Sequence, residues 1–339
     1  MQSIKINNKC LIVTTINGLN HSGIKKLINQ SEEIGYELIV VGDRKTPDWS
    51  DLESKSVRFI TIDEQNDSEY ESGKIIGENH YGRKIVGYLM AASQGCKWIS
   101  ETDDDNILYP NFWNIPDKAA MVTHNFDGPW VNIYSLFGYP NLWHRGIPID
   151  MVSESNNVTI GKVMPLKKVG VVQGLADGDP DIDAIGRMLY HPVTKFESDK
   201  VFQLGPKSLS PTNSQLTHWD AELLPLLYLP HTVPWRVADI WRGLIAQLWM
   251  NRNGWETVYV GAVGFQERNQ HDLILDFSDE IPVHLQTQLI IDCVQKYADL
   301  NMNDYLKQSY TALLDSNLVG VGDLRGIEAY LNDCHKIQD

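Results

Sequence analysis

The sequence has few of the features that mark common functional classes. Its four cysteines form no CxxC or Cys/His spacing, so structural zinc is not expected. No apolar stretch approaches the ~18–20 residues that span a bilayer, and the N-terminus lacks the apolar core and cleavage site of a signal peptide. Lys and Arg number 29 against 44 Asp and Glu, which argues against a nucleic-acid partner. We therefore expect a soluble, reduced, cytoplasmic protein.

Several nucleotide-binding and catalytic motifs are also absent. Neither GxGxxG nor GxxxxGK[ST] occurs, so a Rossmann dinucleotide site and a P-loop lose their main support. No GxSxG elbow is present, which removes the commonest type of esterase. Disorder is excluded by the 10 Trp, 14 Tyr and 8 Phe spread over 339 residues, a length that can bury a large core.

The sequence does contain a strand–helix alternation over its first hundred residues. We predict strands at residues 11–15, 37–41, 57–62 and 97–100, and helices at 22–34 and 81–93. This order predicts an α/β fold with a mostly parallel sheet flanked by helices. Ligands of such sheets lie beyond the carboxyl ends of the strands.

The C-terminal part of the chain has a helical pattern. We predict a helix at residues 237–251 and further helices after Pro282, with Leu285, Leu289, Ile290 and Val294 as a core stripe. We therefore divide the chain into a nucleotide-sugar and acceptor domain, residues 1–283, and a helical extension, residues 284–339.

The strongest chemical signal is the run Asp103-Asp104-Asp105, directly after a predicted strand. Adjacent carboxylates repel one another unless a cation compensates them. In an extended segment Asp103 and Asp105 would point to the same side and could share one divalent ion. A few hard oxygen ligands suit Mg²⁺ or Mn²⁺ shared with a substrate diphosphate. The alternative is a solvated acidic turn or a helix cap.

Two other acidic positions are candidates for site chemistry. The segment at residues 177–183 alternates Asp residues, but Ile182 and Met188 occupy the EF-hand positions that require Gly and Glu. It is therefore either a polar turn or a loop beside the first acidic cluster. Asp239 lies near a predicted helix start, where it favours the macrodipole or, between Trp and Arg residues, serves as a carboxylate base beside a sugar-binding wall.

The segment YGRKIVGYL at residues 81–89, followed by the acidic strand end, resembles the STELLO family of glycosyltransferase-like proteins. More distantly it is similar to the reversibly glycosylated polypeptides, the UDP-arabinopyranose mutases. The resemblance extends in matching order over roughly residues 9–285, through segments at residues 42–49, 173–174, 180–183, 211–214, 238–243 and 268–284.

This resemblance implies a GT-A fold with a DxD-type metal site. Carried over by position, the metal ligands are Asp103 and Asp105, with Asp104 as an alternative and His271 as a later ligand; Asp239 is the base of an inverting displacement. The family's first acidic position is occupied here by Glu101. The nucleotide-sugar-binding residues that we assign are Thr14, Asn17, Asp43, Arg83, Lys84, Asp104, Asp181 and Asp183.

The expected function is transfer of a sugar from a nucleotide-diphosphate donor, UDP-linked, to a glycan or small-molecule acceptor, with Mn²⁺ or Mg²⁺ as cofactor. Polysaccharide assembly is the expected setting, and a homo-oligomer is compatible with the sequence. Three alternatives stay open. They are a mutase acting on the nucleotide sugar, a non-catalytic nucleotide-sugar-binding scaffold and, more distantly, a metal-dependent phosphohydrolase.

Overall fold

Strands and helices alternate in the computed structural model, which describes residues 3–5, 9–116, 120–125, 128–197, 199–267 and 271–338. The strands are β1 (Ser3–Lys5), β2 (Cys10–Thr14), β3 (Glu37–Val41), β4 (Val57–Ile60), β5 (Trp98–Thr102), β6 (Asn106–Leu108), β7 (Asn114–Pro116), β8 (Ala120–Asn125), β9 (Val158–Met164), β10 (Val169–Gly178), β11 (Val201–Leu204), β12 (Leu216–Asp220) and β13 (Glu256–Gln266). The helices are α1 (Ser22–Ile34), α2 (Ile62–Asp67), α3 (Glu71–Ile75), α4 (Lys84–Ser93), α5 (Ile133–Leu136), α6 (Ala184–Tyr190), α7 (Trp235–Arg252), α8 (Leu273–Val294), α9 (Met302–Asp315) and α10 (Val321–Gln338).

The N-terminal elements follow the sequence pattern closely. The predicted helix at 22–34 and strand at 37–41 are confirmed to the residue. Helix α1 ends at Gly35, whose φ of 75° lies in the left-handed region that glycine enters without steric cost. The predicted helix at 81–93 begins instead with a 3₁₀ turn, Tyr81–Arg83, before α4. Strand β5 runs to Thr102, two residues beyond the predicted end.

The large sheet places the ends of β2 and β5 side by side. Its strand order is β4-β3-β2-β5-β12-β10-β13-β11-β8-β9, with β6 paired to β13. Strands β4, β3, β2 and β5 are parallel, whereas β12 is antiparallel to both of its neighbours. The chain goes outward from β2 to β4 and returns to place β5 on the other side of β2. This reversal is a topological switch point, the usual place for a ligand crevice in such sheets.

The C-terminal helices pack against the α/β core. Buried apolar residues of α4, α7, α8, α9 and α10 form one continuous cluster. On α10, Asp333 is fully buried and accepts hydrogen bonds from the backbone N–H and hydroxyl of Ser72, both 2.8 Å long. The expected α/β class with C-terminal helices is confirmed. The predicted domain boundary after residue 283 falls inside α8.

The predicted core stripe of α8 is only half correct. Ile290 and Val294 are buried, but Leu285 and Leu289 are 76% and 45% exposed. Helix α8 carries apolar residues on two faces, and only one of them packs on the core. Periodicity detects an apolar stripe but does not identify which of two such stripes meets the core.

A disulfide joins Cys10 and Cys96, whereas we expected reduced cysteines. Cys10 begins β2, and Cys96 lies just before the adjacent parallel strand β5. Their separation of 86 residues conceals this proximity, because only the strand pairing brings the two positions together. Cys293 and Cys334 are free and buried.

Across the described residues, no helix has both the length and the apolar composition that a bilayer crossing requires.

Stability should depend on pH through His218 of β12. Burial lowers the pKa of His218 to about 4. Its Nε2 lies 2.7 Å from the carbonyl oxygen of Phe112 and must donate to it, so Nδ1 accepts from the Ser100 hydroxyl. Between pH 6.5 and 4 a proton therefore binds the unfolded chain but not the folded one. We expect the free energy of unfolding to decrease as the pH is lowered from 6.5 to 4. His218 contributes up to about 3 kcal/mol to this decrease.

Urea denaturation at a series of pH values from 7 to 4.5 measures this effect. His218→Gln should reduce the dependence of the unfolding free energy on pH, and the remainder belongs to groups such as buried His144, whose pKa is also lowered by burial. An identical dependence in His218→Gln and the parent protein would show that His218 is not responsible.

Candidate active site

A cavity of about 550 Å³ opens at the carboxyl ends of the parallel strands, a volume typical of small-molecule sites. Its wall includes most of the predicted site residues: Thr14, Asp43, Arg83, Asp103, Asp104, Asp105, Asp181, Asp239 and His271. Asn17, Lys84 and Asp183 do not line it. The acidic loop before α6 thus lies beside the first acidic cluster, one of the two arrangements that the sequence allows.

Asp43 is held rigidly at the end of β3. Its Oδ1 accepts from the backbone N–H groups of Arg44 and Asn79, both 2.7 Å away, and Oδ2 accepts from the N–H of His80 at 2.9 Å. Asn79 has a φ of 56°, a left-handed conformation that asparagine adopts more readily than most residues. Asp43 therefore joins the loop after β3 to the loop before α4 and presents a fixed carboxylate to the cavity.

The acidic run forms a turn between β5 and β6. Asp104 and Asp105 are turn residues, and the N–H of Asn106 donates to the carbonyl oxygen of Asp103 over 3.3 Å. The premise of an extended segment with alternating side chains is therefore wrong. All three carboxylates nevertheless line the cavity, because the turn lies at its edge where β5 ends.

Two of these carboxylates bind neighbouring strand ends. Asp104 accepts from the hydroxyl of Thr15 and, at 2.8 Å, from the side-chain amide of Asn17, so it links the ends of β2 and β5. Asp105 accepts from the side-chain amide of Gln266 at the end of β13, over 3.3 Å. Asn17 thus positions Asp104 from outside the cavity wall.

Asp103 lies beside the buried ammonium of Lys84. Desolvation raises its pKa to about 7; the Lys84 ammonium, 3.6 Å away, opposes the rise, and neighbouring carboxylates such as Asp105 add to it. A positive charge placed at the cavity side of Asp103 would favour its ionised form. The acidic turn is therefore suited to a cation.

The prediction that Lys84 contacts a phosphate is wrong. Its side chain is fully buried, and Nζ donates to the carbonyl oxygens of Thr102 and Ser214, each at 3.0 Å. The same ammonium lies 3.8 Å from a carboxylate oxygen of Glu101. Lys84 therefore supports the acidic turn from beneath, inside the protein.

Arg83 and Asp183 also have structural contacts in place of the expected ligand contacts. Arg83 borders the cavity, but its guanidinium donates to the side chain of Gln65 and the carbonyl oxygen of Ile76, both at 2.7 Å. Asp183 is the N-cap of α6 and accepts from the N–H of Gly186 at 2.7 Å. Helix starts favour Asp at this position for capping alone.

Glu101 occupies the interior rather than the cavity. Its carboxylate is fully buried and accepts from Arg242 at 2.8 Å, from the indole of Trp219 at 2.9 Å and from the Tyr88 hydroxyl. The Glu101 side chain does not line the cavity. Asp103 is therefore the first carboxylate at this strand end that can contact a ligand.

Arg145 clamps two of the predicted carboxylates. Its Nε and Nη2 bind both oxygens of Asp181 at 2.8 and 3.0 Å, and its Nη1 and Nη2 bind both oxygens of Asp239 at 3.2 and 3.1 Å. Nη1 also donates to the carbonyl oxygen of Arg236. Burial alone would raise the pKa of Asp181, but Arg145 outweighs it and holds that pKa far below its ordinary value. We name the set Asp181, Arg145 and Asp239 the arginine clamp.

Asp239 lacks the free carboxylate that a base requires. Beyond the two bonds from Arg145, its Oδ1 accepts from the N–H of Ile240 at 2.9 Å, and its Oδ2 from the N–H and hydroxyl of Ser214 at 3.4 Å. A carboxylate with this many donors has little capacity left to accept a hydrogen bond from an acceptor hydroxyl. The predicted role of Asp239 as base is therefore not supported by its surroundings.

His271 lines the cavity beside Trp235, with 6.1 Å between the ring centres. Its Nδ1 lies 3.2 Å from a carboxylate oxygen of Asp276. Within the described part of the chain, no three His, Cys, Asp or Glu side chains are close enough to hold one metal ion. His271 therefore does not join Asp103 and Asp105 in a ready-made ligand set.

Sequence reasoning missed several residues of the cavity wall. Arg145 and Gln266 lie in no motif, and Asn213 lies in the resembling segment at residues 211–214 but is assigned no role there. Asn213 donates to Asp181 at 2.7 Å, which fixes the clamp from a second side. Arg268, which begins the resembling segment at residues 268–284, lies outside the described residues.

The family model of the STELLO glycosyltransferases matches residues 236–338. The resemblance to the STELLO family is confirmed. The chain is similar to the probable glycosyltransferase STELLO2 of Arabidopsis thaliana, 26% identical over 279 residues, which is 76% of this chain and 36% of that protein. It is also similar to the probable glycosyltransferase STELLO1 of Arabidopsis thaliana, 27% identical over 242 residues, 66% of this chain and 30% of that protein.

The chain thus spans about a third of the length of the STELLO relatives that it matches. Among solved structures it is similar to a glucosyl-3-phosphoglycerate synthase from M. tuberculosis, with a TM-score of 0.41 and 14% identity, over 83% of this chain and 79% of that one. The more distant relation to the reversibly glycosylated polypeptides stays a prediction.

Proposed function

We propose that this protein is a divalent-metal-dependent glycosyltransferase of the GT-A type that uses a UDP-linked sugar donor and a glycan or small-molecule acceptor. The observation that carries the proposal is the cavity itself, in which three consecutive carboxylates at the end of β5 meet the ends of β2 and β3 at the switch point. The similarity to probable glycosyltransferases supports it.

The charge of the cavity supports a cation between protein and diphosphate. Among the described residues, the basic side chains that line the cavity are Arg83, Arg145 and Arg236. Arg83 donates to neutral oxygens of the protein, Arg145 forms the clamp, and Arg236 is paired with Glu280 and Asp276. A diphosphate that enters therefore meets acidic groups whose repulsion a divalent cation would remove.

The side chains at the acidic turn fit such a cation. Mg²⁺ and Mn²⁺ prefer hard oxygen ligands, and Mg²⁺ is commonly held by one or two carboxylates, with substrate phosphates and water completing the set. Asp103 and Asp105 would hold the cation, while Oδ2 of Asp104 accepts from Thr15 and Asn17. When bound, the cation would stabilise negative charge on the leaving diphosphate.

Other residues of the cavity wall would contact the nucleoside and the sugar of the donor. Thr14 and the fixed carboxylate of Asp43 lie at the ends of β2 and β3, where polar groups would contact the nucleoside. Asp181 of the arginine clamp borders the cavity and would accept a hydrogen bond from a sugar hydroxyl. Asp43 and Asp181 are held in place before the ligand enters, which reduces the ordering cost of binding.

A UDP-release assay tests the proposal. The purified chain would be incubated with Mn²⁺ and a panel of UDP-hexoses and UDP-pentoses, with and without oligosaccharide acceptors. Release of UDP that increases with an acceptor is expected. Exchange of the sugar ring form without release would identify a mutase instead. Binding of the donors without either reaction would leave only a scaffold role.

A further inference from the structure

Trp235 and His271 lie next to each other in the cavity wall. Trp235, the first residue of α7, is 45% exposed and borders the cavity. The ring of His271 lies beside it, 6.1 Å between centres and inclined by 35°. An exposed indole offers a flat apolar surface, and the neighbouring imidazole offers a polar group. Together they suit a sugar ring whose apolar face stacks on Trp235 and whose hydroxyl reaches His271.

The contacts of His271 fix which ring nitrogen carries the proton. Nδ1 lies 3.2 and 3.3 Å from the two carboxylate oxygens of Asp276, which only accept hydrogen bonds when ionised. Arg236 lies 3.7 Å from the same carboxylate. Nδ1 of a neutral His271 therefore carries the hydrogen, and Nε2 keeps its lone pair. The His271 side chain is 23% exposed, whereas that of Asp276 is 5% exposed.

This pair has the arrangement of an oriented general base. A buried carboxylate that holds Nδ1–H orients the ring and stabilises the imidazolium that forms when Nε2 takes a proton. Asp239, the base suggested by the sequence, has the opposite arrangement, because both of its oxygens already accept from Arg145 and from other donors. The geometry therefore favours His271 over Asp239 as the base.

We propose that His271, oriented by Asp276, is the catalytic base that activates a carbohydrate hydroxyl stacked on Trp235. This inference rests on the proposed glycosyltransferase function. The acceptor O–H bond breaks, its proton goes to Nε2 of His271, and the oxygen forms a bond to the anomeric carbon of the donor sugar. The bond from that carbon to the diphosphate oxygen breaks, and its electron pair leaves with the diphosphate.

Turnover and donor binding of His271→Gln test this role separately. We expect the kcat for UDP release with an oligosaccharide acceptor to fall by roughly 10²–10⁴-fold, the usual contribution of a general base. The Kd for UDP in the presence of Mn²⁺, measured by calorimetry, should change by less than about twofold, since the base acts only in the transition state. The matched control is His335→Gln on α10, an exposed histidine outside the cavity.

Nitrogen-15 NMR of the histidine side chains tests the same geometry without any ligand. The signals that disappear in His271→Gln belong to His271, and the Nδ1–H tautomer is expected for them. A dominant Nε2–H tautomer would overturn the proposal.

The outcomes separate this proposal from the proposed function. If the parent protein releases UDP and His271→Gln is equally active, the base role alone is wrong. If His271→Gln also loses binding of UDP with Mn²⁺, His271 takes part in binding the donor nucleotide, and the base role is overturned. If the parent protein releases UDP from no donor, the proposed function fails and the base role fails with it.

Discussion

Replacing Asp103 and Asp105 together by asparagine should lower acceptor-dependent UDP release by about 10³-fold or more. Both side chains line the cavity at the end of β5, beside the ends of β2 and β3. Asparagine keeps the size of each side chain but removes the charge that a divalent cation requires. Turnover is measured with saturating donor and a titration of Mn²⁺.

The control for this loss is a variant with the same change of charge elsewhere. Asp48 and Asp51 are exposed and do not line the cavity, so Asp48→Asn/Asp51→Asn should retain parental turnover. The unfolding free energy of both variants should remain close to that of the parent protein. Full activity in Asp103→Asn/Asp105→Asn would remove the acidic turn from the mechanism.

Removing Arg145 should have the largest effect on stability. In Arg145→Met, the buried carboxylates of Asp181 and Asp239 lose the partner that binds all four of their oxygens. Breaking a buried ion pair from one side leaves an uncompensated charge and typically costs about 3–5 kcal/mol. We expect the free energy of unfolding, measured by urea denaturation at pH 7, to fall by about that amount.

Arg252→Met is the matched comparison, because it removes an arginine whose ion pair is exposed. Arg252 and its partner Asp299 have side chains that are 64% and 70% exposed. Exposed pairs contribute about 0–1 kcal/mol, so this variant should unfold almost like the parent protein. Equal unfolding free energies for Arg145→Met and Arg252→Met would show that the clamp does not stabilise the fold.

The sequence predicts the residues of the site that lie at the ends of strands. Thr14, Asp43 and Asp103 each follow a β-branched or apolar run, and parallel strands bring their carboxyl ends to one edge of the sheet. Local pattern therefore suffices to place them together. The helix at 22–34 is recognised for the same reason, since its apolar periodicity and its terminal Gly35 are both local.

The remainder depends on contacts between residues far apart in the sequence. Lys84 and Arg83 carry charge that suits a phosphate, yet the fold turns Lys84 into the interior and satisfies Arg83 with protein oxygens. Arg145 lies in a segment without periodicity or motif, and its partner Asp239 is 94 residues away. Charge type can be read from a sequence, but the partner that neutralises it cannot.

The most direct test of the account is a calorimetric titration of the full chain with UDP, once with Mn²⁺ and once with EDTA. Because the basic side chains described in the cavity are already engaged within the protein, we predict that UDP binds with Mn²⁺ and at least about tenfold more weakly with EDTA. The Asp103→Asn/Asp105→Asn variant should bind weakly in both. Equal affinity with Mn²⁺ and EDTA, unchanged in that variant, would contradict a cation-bridged nucleotide site.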